Sequence, residues 1–540
     1  MYGALDILLV VLLNEQAEIQ AFKYQHIMKP SSELFNLIRS LTKSEKRFFK
    51  LSSSLQTGDK NYLKIFDAID KQKEYDEESL KGLFAKETFV KHFPSEKNHL
   101  YKLILKSLRS YHADNSVSGI LKQETKNIEI LYKKALYKEC NKFLHRAKRI
   151  AIQNERFYYW FELLSWEKML LEEAYEAGEF TKDLDALIAE EGEVLEKLRN
   201  LAAYHVLYSK INYVFRSGGY VRSEEEHKMV EEISEHPLIK GKDTALSHRA
   251  ATICYYTQGF CSAAKRDFKT SYDKFIRVMG IMDSNPLIKK DLPKRYTRTL
   301  SSIISCLIDM ERYEESRDYI EMLRALPKQK GFQSFDLQVK IFSATSLAEL
   351  RLLDRTGQHE LALEKAEVVL KEMEALSENI HKEEEIEFYY SLACIYFGAG
   401  MVNKSLFWLN KVLNDNENTL RQDIYSYARL FNLVIHYELG NFDLLEYIIK
   451  STHRYLNKRQ RAYKVEMVLL EHIKKLAKTT NEQTKKEILT SLKKELKELF
   501  KDQNESVVLK YFDFNSWIES RLTDIPFSEV VKEKIKKTAK

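Results

Sequence analysis

The sequence predicts an all-α chain, a right-handed α-solenoid of paired helices with a helical cap at each end. Three observations carry that expectation. Apolar and small residues recur at helical spacing on either side of a turn residue. Such turn units follow one another at intervals of about forty residues, the mark of a repeat array. Only 7 prolines and 16 glycines stand among 540 residues, too few for a sandwich, a Gly-loop nucleotide fold or long linkers. With 44% hydrophobic residues the chain can bury one continuous strip of core.

The clearest unit occupies residues 388–412. Leu392 and Tyr396 precede Gly400 on one face of a first helix, and Ser405, Leu409 and Val412 follow on one face of a second. Gly400 lets the first helix end in a left-handed conformation, and the small Ser405 lets the two backbones approach. Each pair leaves an apolar face that only another pair can cover. Further turns are expected in register at Ala135, Gly178, Gly218, Gly259, Glu311, Gly357 and Gly440, with Pro237, Pro286, Pro293 and Pro327 as punctuation between pairs.

A large residue, Leu, a small residue and Tyr before the turn, then a small residue and Phe after it, resemble the tetratricopeptide repeat over roughly residues 121–457, most closely at Gly259 and Gly400. The chain departs from that family in its longer period, in the missing closing proline, and at Asp183, where a small residue is expected. It is therefore TPR-like. The resemblance implies a concave groove lined by first-helix side chains, here Tyr208, Asn212, Arg249, Tyr256, Arg298, Arg351, Tyr390, Phe397 and Tyr437. It also argues against a chaperone-tail adaptor. Tyr208 stands where the carboxylate-clamping Lys would accompany Asn212.

Taken in order, residues 1–27 read as a poorly ordered extension. The apolar run 7–13 is too short to span a bilayer and follows Asp6 without a basic lead-in, and Met28 is an alternative start. Residues 28–118 form a helical cap domain, with capping signatures at Thr42/Glu45, Asp76 and Ser95. Lys102, Lys106 and Arg109 along its last helix raise a helix-turn-helix reading, opposed by the long stretch separating that helix from the one before. The solenoid spans 119–457. A C-terminal helical cap and basic tail span 458–540, with Val508, Phe512, Trp517 and Ile518 sealing the end and 532–540 fraying.

Charge is nearly balanced, 86 basic against 80 acidic side chains. Two clusters stand out: Lys138, Lys142, Arg146 and Arg149 on one helical stripe, and Arg454, Lys458 and Arg461 interleaved with Tyr455 and Tyr463. Either has the chemistry to grip phosphates, but the first reads more readily as an outer solvated face and the second as a terminal capping helix. Five scattered cysteines without a paired spacing read as buried free thiols in a reducing compartment. No Walker loop, dinucleotide fingerprint, zincin helix or nucleophile elbow occurs, so no catalytic residue, metal or cofactor is expected. The leading expectation is a cytoplasmic, non-enzymatic scaffold binding a protein or peptide segment in its groove, without a membrane partner. The alternative is a nucleic-acid or ribonucleoprotein binder using the two basic clusters.

Overall fold

The computed structural model describes residues 32–54, 61–114, 116–178, 184–218, 221, 223–241, 243–376, 379–415, 420–459 and 463–538. The expected extension 1–27 and Arg461 lie outside them. All regular structure among the described residues is helical, and the chain divides into two compact units, 1–147 and 148–540.

In the first unit, α1 (Glu33–Ser40), α2 (Lys43–Ser54), α3 (Asn61–Lys71), α4 (Glu77–Leu83) and α5 (Phe93–Tyr111) precede α6 (Val117–Lys133) and the start of α7 (Tyr137–Gln153). The capping box forms as read: Glu45 N–H donates to Thr42 Oγ1 at 3.2 Å, and Thr42 N–H donates to Glu45 Oε2 at 2.7 Å. Asp76 caps α4 by accepting from Ser79 N–H. A 3-10 turn, Thr88–His92, runs directly into α5, so that helix starts before Ser95. Leu34, Ile38, Phe49, Phe66, Phe93, Leu100 and Ile104 form the core. The buried Lys97 ammonium is satisfied by Glu77 at 2.5 Å and by the Tyr75 hydroxyl at 2.9 Å.

The second unit continues with α8 (Phe157–Glu176), α9 (Leu184–Gly218), α10 (Glu224–Glu235) and α11 (Pro237–Lys240). Helix pairs follow: α12 (His248–Ala264) with α13 (Phe268–Asp283), then a short α14 (Pro286–Asp291), and α15 (Pro293–Asp309) with α16 (Tyr313–Ala325). Next come α17 (Phe335–Arg355) with α18 (His359–Leu376), α19 (Lys382–Gly398) with α20 (Val402–Leu413), and α21 (Gln422–Glu438) with α22 (Phe442–Lys458). The unit closes with α23 (Lys464–Ala477), α24 (Glu482–Leu499), α25 (Phe514–Thr523) and α26 (Phe527–Thr538). Sequential helices pack as neighbours, and the first helices α15, α17, α19 and α21 also pack on one another in order. Helix α9 touches both α12 and α21.

Three expectations are corrected. Gly178 and Gly218 do not each bring a pair, because residues 184–218 form one 35-residue helix. Gly259 is not a turn. It lies inside α12, where a Cβ would sit 2.8 Å from the Phe275 ring, so its smallness serves the approach of α13. The turn of that pair is Arg266, whose φ of 64° matches 60° at Glu311, 70° at Gly357, 76° at Gly400 and 71° at Gly440. The tail is not frayed over its length, since α26 runs to Thr538 and the Lys532 side chain lies against Gly357.

The corrected register shows what joins a pair. At three turns, Arg266, Gly400 and Ala135, a small side chain five residues after the turn residue faces the carbonyl seven residues before it. Ser271 Oγ donates to Gly259 O at 2.9 Å, Ser405 Oγ to Ala393 O at 2.7 Å, and Cys140 Sγ to Ile128 O at 3.5 Å. Gly398 is tighter still, since a Cβ there would fall 2.1 Å from the His359 ring. Gly398→Ala is expected to cost about 1–3 kcal/mol through overpacking. Gly192→Ala, at an exposed site in α9 with nothing within 4 Å, should gain about 0.5–1 kcal/mol. Urea denaturation of the two variants checks both signs.

Candidate functional site

The side chains that the first helices turn inward do not face an empty channel. Residues 505–513 come back from the end of α24, form the 3-10 turn Glu505–Lys510, and lie across α15, α17, α19 and α21. Arg355 donates from Nη1 to Leu509 O at 2.8 Å and from Nη2 to Lys510 O at 2.5 Å. Tyr390 Oη donates to Tyr511 O at 3.3 Å, and Arg266 Nη1 to Ser506 Oγ at 2.8 Å. These are largely grips on backbone, satisfying carbonyls that burial would otherwise orphan.

Side chains complete the hold. The Lys510 ammonium lies 2.8 Å from Asp309, which Arg351 also reaches at 2.5 Å, and sits 3.8 Å over the Phe268 ring. Tyr511 donates to Asp423 Oδ2 at 2.7 Å and stacks on Tyr427 with centroids 3.9 Å apart. Phe512 stacks on Phe431 at 4.5 Å and presents its edge to Phe397. Beyond it, Trp517 Nε1 donates to Glu438 at 2.7 Å, and its ring meets Tyr437 edge-on.

A cavity of about 370 Å³ remains between the segment and the helices, walled by Asp309, Arg351, Glu387, Tyr390, Arg421 and Asp423 among others. Asp309 and Asp423 stay ionised there. Burial pushes the Asp309 and Asp423 carboxyls up, but Arg351 with Lys510, and Arg421 respectively, outweigh that and hold both below the ordinary carboxylate range. Lys510 is the weaker partner of Asp309. Burial draws its ammonium down to about 7, against the upward pull of the carboxylate.

Among the expected groove residues, Tyr390, Phe397 and Tyr437 thus meet the chain's own C-terminal segment or the helix after it, and Arg351 shares Asp309 with Lys510 of that segment. Tyr208, Tyr256 and Arg298 line a second cavity, near α9, α12 and the start of α15. Arg249 is buried beside that cavity through its ion pair with Asp291, and the half-buried Asn212 lines neither cavity. Lys138, Lys142, Arg146 and Arg149 are all exposed on α7, with Arg146 paired to Glu124 at 2.9 Å. Arg454 and Lys458 are exposed on α22. Sequence reading missed Asp309, Arg355 and Glu438. All three stand two residues before a turn residue, and all three bind the C-terminal segment or α25. A charged side chain at that one register position was the available signal.

Among the described residues no group of His, Cys, Asp or Glu is arranged to hold a metal ion, and no helix is long and apolar enough to cross a membrane. All five cysteines are free and buried. The chain matches no family model, and no curated protein is significantly similar to it.

Lys510→Met is expected to leave stability within about 1 kcal/mol, because burial of the ammonium offsets its pairing, whereas Asp309→Ala, which strands two cations, should cost about 3–5 kcal/mol. Lys510 titrates near 7 when folded and near 10.4 when unfolded, so folding releases a proton between those values. Stability should therefore rise with pH from about 7 toward 10, and Lys510→Met should lack that rise in denaturant midpoints measured across the range.

Proposed function

We propose that the chain is a non-catalytic, cytoplasmic scaffold, a right-handed TPR-like α-solenoid that binds a partner's extended segment along its first helices. The observation that carries this reading is the seating of residues 505–513, whose carbonyls are gripped by Arg355 and Tyr390. A surface that takes one short stretch by its backbone, with buried carboxylates for a Lys and a Tyr, has the chemistry to take another of the same kind. Aromatic and arginine side chains dominate this face, and they are the residues that carry most binding energy at protein interfaces. The chain's own segment then acts as an internal competitor, and a partner binds to the extent that it displaces it.

A second reading, nucleic-acid binding, is favoured by the exposure of Lys138 and Lys142 on α7, which make no ion pair with a carboxylate among the described residues.

Tyr511→Ala removes the hydroxyl on Asp423 and the stack on Tyr427 while leaving the helices intact. It is expected to raise stoichiometric capture of a partner from native extract, and Tyr390→Ala with Asp423→Ala to reduce it, in quantitative crosslinking and mass spectrometry. Equal capture by all variants would sink the groove reading. Co-elution of nuclease-sensitive material that is lost steeply with salt would favour the second.

A further inference from the structure

The cavity near the start of α15 carries more positive charge than its surroundings neutralise. It measures about 380 Å³ and is bounded by Tyr208, Tyr256, Asp291, Lys294, Arg295 and Arg298. Its charges can be counted. Asp291 is taken by Arg249 and Arg156, and Lys294 is paired with Asp336. The half-buried Arg295 donates to the Thr252 hydroxyl at 2.8 Å, a neutral partner, and the exposed Arg298 has no carboxylate within ion-pairing distance among the described residues. Two guanidinium groups are thus left in excess on one wall.

The surroundings sharpen the excess. Burial together with the neighbouring Arg249 and Arg298 draws Arg295 down to about 10. Partial burial and the charges of Arg295 and Arg249 likewise push the nearby His205 imidazole below its ordinary range. Helix α15 opens with Pro293 in its first turn and no side-chain cap, so the positive end of its dipole adds to the same wall. Opposite stand the rings of Tyr208 and Tyr256, with centroids 5.7 Å apart. Leu292 and Pro293 supply apolar surface.

We propose that this cavity binds a small phosphorylated organic molecule, its phosphate group held by Arg295 and Arg298 and its organic part against Tyr208, Leu292 and Pro293. Each planar guanidinium presents a fork of N–H donors that can reach two oxygens of a tetrahedral phosphate dianion. The volume suits a metabolite or a mononucleotide and is too small for a folded partner or a nucleic-acid strand. The site is separate from the face occupied by residues 505–513, so it stands or falls independently of the groove reading.

The test is isothermal titration of the full chain with adenosine monophosphate and with inorganic pyrophosphate at low ionic strength, alongside adenosine and potassium chloride as controls. Saturable binding of the phosphorylated probes and none of adenosine is expected. Arg298→Ala, a change at an exposed side chain, should weaken binding at least tenfold, while Lys142→Ala should leave it unchanged. Arg295→Met should abolish it in protein that keeps the wild-type circular dichroism spectrum. Absence of saturable binding to the wild-type chain, or equal affinity in Arg298→Ala, would overturn the proposal.

Discussion

The close approach of two helices at a small residue is the constraint on which the rest of the second unit depends. Where Ser271 meets Gly259 and Ser405 meets Ala393, one hydroxyl satisfies a carbonyl that the neighbouring helix still needs for its own ladder, and the axes can draw together around it. Where it forms, that contact fixes the rotation of the first helix about its axis. Once it is fixed, Tyr256 and Tyr390, each ten residues before a turn, turn inward, as do Asp309, Arg355 and Glu438 two residues before theirs. A single register, set by packing, thus selects which polar side chains share the inner face.

That inner face holds charge that an apolar core would reject. Asp309 and Asp423 remain ionised because each is shared between an arginine and a donor from the C-terminal segment. Filling the face with chain of the same molecule keeps these groups satisfied without a partner, and burying the rings of Tyr511 and Phe512 offsets the cost of ordering the segment. Such a hold is strong enough to be specific and is built of contacts that a competing segment would have to reproduce.

Much of the architecture was legible in the sequence, for identifiable reasons. The positions five, nine and twelve residues after a turn, such as Ser405, Leu409 and Val412, recur as Ser316, Ile320 and Leu323 and as Ala362, Ala366 and Val369, and periodicity of that kind is local. The error at Gly259 arose because a glycine signals either a left-handed turn or a close approach, and only the neighbour, here Phe275, distinguishes the two. The turn itself fell to Arg266, a residue that announces no such conformation. The return of residues 505–513 was not legible at all. Val508 and Phe512 read correctly as buried, but a pairing such as Lys510 with Asp309, some two hundred residues apart, leaves no local mark.

The order of the chain gives the segment 505–513 a further meaning. The helices α15, α17, α19 and α21 that grip it all precede it in the chain, and only α26, whose Phe527 stacks on Phe512, follows. The helices that carry Asp309 and Asp423 are therefore synthesised before the stretch that covers them. A chain still in synthesis holds the sequence of the face without the sequence that fills it, so the order of translation, and not only the equilibrium of the finished protein, bears on when the face meets other molecules.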